Sequence, residues 1–192
     1  MRGKGIFYKA RFIYCNLMAL FLNRLVCRGR IPLSIQKVYY LGKGKCYIGD
    51  NCILGYKIGG YYRGAGIELQ TRKIEATIVI GNNVAINNNF FVCAINSIQI
   101  GNNVRIGFNV CIMDHEAHNT NPLLRSRLGH IGSVGIGDNV WIGSNVTILK
   151  ETYIGKNSIV ATGAVVSGSF PENVIIGGIP ARIIKRIDEG CI

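Results

Sequence analysis

From Ile136 onward every sixth residue is aliphatic: Ile136, Ile142, Ile148, Ile154, Val160 and Val166. Four places into these hexads the residues are small: Val140, Val146, Thr152, Ser158 and Ala164. Related hexads stand upstream, IGDNCI from Ile48, IGNNVA from Ile80 and IGNNVR from Ile100, before IGDNVW from Ile136. A period of six suits neither an amphipathic helix nor a run of alternating strand. It is the pattern of a hexapeptide β-helix, in which each hexad supplies one short strand and one turn. The aliphatic residue points inward and stacks on its equivalent in the next coil, and the small residue shares the narrow interior. Gly and Asn between them tolerate the positive φ of tight corners. One hexad leaves its apolar face uncovered, so coils must stack, and three hexads per coil make a triangular prism. The fold class expected is an all-β solenoid, a parallel β-helix over residues 46–178, with most of its Ile and Val simply core.

The frame breaks between Ile112 and Ile136. The gap is a whole number of hexads, yet its in-frame positions hold His118, Leu124 and His130, and Asn121-Pro122 marks a turn. Residues 113–135 therefore read as a loop extruded from a corner. Ahead of the repeat, residues 1–45 read as a basic, apolar helical arm. Within Phe12–Cys27, too short for a confident membrane span, Asn16 and Asn23 continue from Lys9 a polar stripe at a spacing of seven. Gly29 and Pro32 would end that helix. It suits equally a membrane interface and packing on the main domain or another subunit. At the far end, residues 179–192 read as a short helix begun by Pro180, with Arg182, Lys185 and Arg186 on one face.

Charge sharpens this division. The formal net charge is +12, and residues 1–49 hold ten Lys/Arg and no acid. Such an arm favours a polyanion, a membrane surface or a phosphorylated substrate. Nucleic acid is not expected, since no RNP or zinc-finger pattern is present. The seven cysteines form no CxxC pair and read as reduced thiols of a cytosolic protein.

Three stretches, the IGxNV hexads, the block IGDNVWIGSNVTIL and the ending ENVIIGGIPARIIKRI, resemble the left-handed β-helix hexapeptide-repeat acyltransferases. The resemblance runs from about Cys46 to the C-terminus. It is closest to the galactoside and maltose acetyltransferases and the O-acetyltransferases of bacterial surface polysaccharides. It implies a homotrimer with active sites between subunits, acetyl-CoA as co-substrate, no metal, and a sugar or glycan acceptor. His115 takes the place of the base that accepts the acceptor's proton during direct attack on the thioester, with Asp114 or Glu116 to orient it. His118 stands where some members carry another histidine. Asn87 matches an acceptor contact, beside which an acidic residue of the family is replaced by Ile95, and Trp141 matches a wall of the site. Ser144, Thr162 and Ser167 match the pantetheine channel. Gly168 replaces a lysine common there, and Arg182 and Lys185 suit the phosphates of coenzyme A.

The function implied is O-acetylation of a surface polysaccharide or its precursor, in the cytoplasm, with inner-membrane contact through residues 1–30. The same base would serve N-acetylation of a nucleotide-linked amino sugar. Two other classes compete. One is a γ-carbonic-anhydrase-like metal lyase using the three histidines, and the other is a non-catalytic binding solenoid.

Overall fold

The computed structural model describes residues 21, 25–27, 30–57 and 66–187. Among the described residues, strands lie along three faces of a prism, seven on the first face, eight on the second and six on the third, and all pair in parallel except the last on the second face. Each coil visits the faces in turn. The coil of Ser97–Ile100, Arg105–Ile106 and Cys111–Met113 is typical. Equivalent positions lie in register, with Ile80, Ile100, Ile136 and Ile154 paired from coil to coil. All of the period-six aliphatics are buried, as are the small partners Val140, Val146, Thr152, Ser158 and Ala164. The solenoid expected from the repeat is present.

The corners divide labour between Asn and Gly. Asn takes the left-handed backbone, at Asn83, Asn103, Asn139 and Asn157 on one corner and Asn89, Asn109 and Asn145 on the next. Their side chains form ladders, such as Asn83 Nδ2 to Asn103 Oδ1 (3.2 Å) and Asn157 Nδ2 to Asn173 Oδ1 (3.0 Å). The glycines of the described IG pairs serve close approach instead. A Cβ on Gly81 would lie 2.6 Å from the carbonyl oxygen of Gly101, inside any tolerable contact.

Two boundaries differ from the sequence reading. The solenoid starts before residue 46, because Leu25–Cys27 pairs in parallel with Lys45–Ile48, and Leu33–Ser34 and Val38–Gly42 complete a first coil. Backbone pairing with the next coil recruits a segment that lacks the IG-N hexad. The rest of the expected N-terminal helix lies outside the described residues, apart from Phe21. No helix among the described residues is long and apolar enough to cross a membrane.

The expected C-terminal helix is instead a strand, Ala181–Arg186, antiparallel to Val174–Gly178. Val174–Gly178 is the last coil's strand and offers an unpaired edge. The turn through Gly178 (φ 103) and the cis Ile179–Pro180 bond reverses the chain onto it. Arg182, Lys185 and Arg186 are exposed, but on a strand.

Candidate active site

The frame break is a hairpin. After Met113 the chain leaves the corner between the third and first faces and returns at Ser133. An antiparallel bridge joins His115 to Ile131. Glu116 N donates to His130 O (2.9 Å), and Asn119 N to Arg127 O (2.8 Å). At the tip, Asn121 caps the short 3-10 turn Pro122–Leu124.

Asp114 and His115 form the root of this hairpin, and both are buried. The Asp114 carboxylate accepts from Ile95 N (2.9 and 3.1 Å to its two oxygens) and Asn96 N (2.8 Å). His115 Nδ1 lies 2.9 Å from Asp114 Oδ1. A buried carboxylate already fed by two backbone donors accepts from Nδ1–H, which leaves the lone pair on Nε2. The ring's hydrogen bond runs through Nδ1, and none from Nε2 is present among the described residues. Asp114, rather than Glu116, thus orients the imidazole.

Glu116 has a different task. Its carboxylate accepts from His130 N (3.1 Å) and pairs with Lys150 Nζ (3.1 Å), tying both hairpin strands to the next coil. The His130 amide first, then Lys150, hold its pKa below the usual carboxylate range. His130 Nε2 pairs with Glu151 Oε1 (2.8 Å). His118 is exposed and donates from Nδ1 to Arg125 O (2.8 Å), a tie across the hairpin away from His115. Among the described residues, no three His, Cys, Asp or Glu side chains gather as a metal would require. Cys93 lies beside Arg72 on the third face, and burial pushes its thiol up to about 11.

The remaining expected residues fall into separate groups. Ser167 follows Val166, which pairs with Ile148 and, through it, with Ile112. Ser167 and Gly168 therefore share the hairpin's corner. Ser144 and Thr162 sit one coil apart at the corner between the second and third faces, where Gly163 N donates to Ser144 O (2.9 Å). Asn87 lies at that same corner, its side-chain oxygen accepting from Asn88 N (2.8 Å). Thr162 and Ser167 are five positions apart, so the two corners are about 16 Å apart at strand rise. Trp141 projects from the second face, 57% exposed. Arg182 and Lys185 lie at that face's end. A groove lined by Gly137, Asp138, Tyr153, Gly155, Lys156 and Glu172 contains none of them.

Sequence reasoning missed two features here. Asn88 is fully buried and exchanges hydrogen bonds with the Tyr56 backbone, N to Oδ1 and Nδ2 to O (both 2.8 Å). Gly107 and Gly143 pack so tightly beside Ser144 and Thr162 that a Cβ would come within 2.6 and 2.7 Å of their amide nitrogens. The 18-residue spacing of Ser144 and Thr162 carried a signal for a shared corner. No comparable pattern marks Asn88.

A solenoid of hexads, with a hairpin rooted in a buried Asp–His pair leaving one corner, defines a class of hexapeptide-repeat transferase. Residues 133–168 match the family described as "Bacterial transferase hexapeptide (six repeats)". The chain is 33% identical over 155 residues to WbbJ of Escherichia coli K12, provisionally named a lipopolysaccharide biosynthesis O-acetyl transferase, covering 75% of this chain and 77% of the relative. Among solved structures it resembles a galactoside acetyltransferase in complex with coenzyme A (34% identity, TM-score 0.55, 58% of this chain and 56% of that one). It also resembles a Vibrio cholerae hexapeptide-repeat acetyltransferase complexed with acetyl coenzyme A (32%, TM-score 0.52, 58% and 61%). Both matches span less than two thirds of the solved chain. The chain belongs to the hexapeptide-repeat acetyltransferase family, and its prism is the left-handed parallel β-helix of that family.

Proposed function

We propose that this protein transfers the acetyl group of acetyl-CoA to a hydroxyl of a sugar in a bacterial surface polysaccharide or its precursor. The observation that carries the reading is the Asp114–His115 pair. With Nδ1–H given to Asp114, Nε2 is free to take the proton of an acceptor hydroxyl as its oxygen attacks the thioester carbon. The tetrahedral intermediate then expels the coenzyme A thiolate, which recovers the proton from the imidazolium. No acyl-enzyme forms. The names of the relatives support the donor and the sugar acceptor.

The separation of the two corners supports a site shared between subunits of a homotrimer. Asp114, His115 and Ser167 lie at one corner and Asn87, Ser144 and Thr162 at another, so one chain does not gather them. A second chain whose glycine-lined corner faces the first chain's hairpin would close the gap. Coenzyme A would lie along Gly107, Gly143 and Thr162, close to a backbone that bears no obstructing side chain. The cations of the Ala181–Arg186 strand would then meet its phosphates.

The test is calorimetric titration of acetyl-CoA, followed by an acceptor screen with His115→Ala as control. Saturable binding near one site per chain is expected. The variant should lose about 10²- to 10⁴-fold in kcat with its acetyl-CoA affinity unchanged. Folded protein that does not bind acetyl-CoA at millimolar concentration would refute the reading.

A further inference from the structure

The chemistry above leaves unused a set of cations on the corner that carries His115. Lys43 N donates to Thr71 O (2.7 Å) and Arg72 N to Ala94 O (2.9 Å), which places Lys43, Arg72 and Ile95 in one column of successive coils. Ile95 N in turn donates to Asp114. Coils repeat at about 4.8 Å, so Arg72 lies about 10 Å along the axis from the carboxylate that holds His115. Lys45 and Lys73 flank the column, and all four cations are exposed. None makes an ion pair among the described residues.

Arg72 is also aimed. Its Nη2 donates to Gln70 Oε1 (3.4 Å), which also accepts from the Cys93 thiol (3.7 Å), and Gln70 Nε2 is anchored on Glu68 (2.8 Å). Cys93 pairs with Met113, two residues before His115. The carboxylates nearby are Glu75, in the same turn, and Glu68, already engaged by Gln70. Beyond the site, the hairpin adds exposed Arg125 and Arg127. Like charges held this close repel one another, and an anionic ligand along the corner relieves that repulsion.

We infer that the acceptor is an anionic glycan. Its carboxylate or phosphate groups lie on Arg72, Lys73, Lys43 and Lys45 while a hydroxyl further along the same chain reaches His115. A guanidinium steered by Gln70 suits bidentate recognition of such a group, and the lysines supply less directional charge. The inference rests on acetyl transfer to a sugar, as proposed above, and adds the charge of that acceptor.

Binding is measured without turnover. Labelled oligogalacturonate, which carries a carboxylate on each sugar, is compared with a neutral maltooligosaccharide of equal length and with phosphatidylglycerol vesicles. The full chain is used, with acetyl-CoA calorimetry in parallel. The acidic oligosaccharide should bind at least about tenfold more tightly than the neutral one and weaken as salt rises. The double variant R72Q/K73Q should lose at least about tenfold of that affinity, while acetyl-CoA binding is unaltered. Equal affinity for acidic and neutral chains overturns the inference. So does affinity that survives both R72Q/K73Q and the quadruple variant adding K43Q and K45Q. Vesicle binding that these variants abolish, without oligogalacturonate binding, assigns the corner to lipid and also overturns it. Loss of acetyl-CoA binding by the unaltered protein would instead bring down the transferase reading itself.

Discussion

Asp114→Asn is the substitution that most directly tests how the site is built. Asp114 Oδ1 accepts from His115 Nδ1 and Ile95 N, and Oδ2 from Asn96 N and again Ile95 N. An asparagine has one oxygen for these donors. If that oxygen faces the two backbone amides, the new NH2 group points at His115 Nδ1. The imidazole must then carry its proton on Nε2, where it has no lone pair to offer an acceptor hydroxyl. If the side chain flips, the NH2 group meets the Asn96 N–H in a fully buried pocket. The first arrangement costs less, because it sacrifices roughly one charge-assisted hydrogen bond, about 1.5–3 kcal/mol of folding stability. Catalysis should suffer more. A general base in the wrong tautomer loses most of its contribution, so kcat should fall about 10²- to 10⁴-fold. The assay is release of the coenzyme A thiol with an acceptor from the screen, run beside urea unfolding and acetyl-CoA calorimetry. A folded variant with wild-type acetyl-CoA affinity and kcat near wild type would refute the tautomer argument. A variant that merely unfolds would make Asp114 a structural anchor and nothing more.

Other outcomes follow from the same geometry. Ile142→Ala, in the core between coils, should cost about 2–5 kcal/mol in urea unfolding; a loss below 1 kcal/mol would contradict close stacking. Asn103 holds φ 58, so Asn103→Gly should be tolerated far better than Asn103→Ala, which forces Cβ into left-handed backbone at about 1–2 kcal/mol; melting temperatures check the order. Glu116 has a depressed pKa in the folded chain. Its contribution is therefore full above the ordinary carboxylate pKa and is lost as pH falls through the lower folded value. Hydrogen exchange at Gly129 and His130 should accelerate on that acid side, and Glu116→Gln should flatten the dependence. Cys93, with its thiol at about 11, should be about 0.1% thiolate at pH 8 and react with iodoacetamide far more slowly than after unfolding; peptide mass spectrometry reads the difference.

Legibility in the sequence followed the strength of physical selection. The frame from Ile136 to Val166 could be read because the prism interior admits little but Ile and Val at those positions. The hairpin was legible as the place where that demand lapses, and it drew attention to His115. Residues 25–42 carry no such demand in their spelling. Leu25–Cys27, Leu33–Ser34 and Val38–Gly42 join the solenoid through backbone pairing with the next coil, which leaves no side-chain signature. The misreading of 181–186 has a similar origin. Spacings of three and four among Arg182, Lys185 and Arg186 suggest a helix face, but the open edge at Val174–Gly178 claims the segment. Asp114 and Glu116 were equal candidates beside His115, since only the fold shows that Ile95 and Asn96 point their amides at Asp114. Arg72 drew no attention because its column is assembled from residues 29 and 23 positions apart, Lys43, Arg72 and Ile95.

The spacing between equivalent corner positions varies widely. Asn82 follows Asp50 by 32 residues, Asn102 follows Asn82 by 20, and Asp138 follows Asn102 by 36, yet one residue's backbone amide donates to the next residue's side chain at every step. Strand register is thus insulated from what happens at the corners. A corner works as a socket, where segments of different length and chemistry can be exchanged without retuning the rest of the rod. Grafting another tip between Asn119 and Arg127, beyond the Asp114–His115 root and the Glu116 tie, should then leave the melting of the rod nearly unchanged. The part of this molecule most open to evolution is the part its stability depends on least.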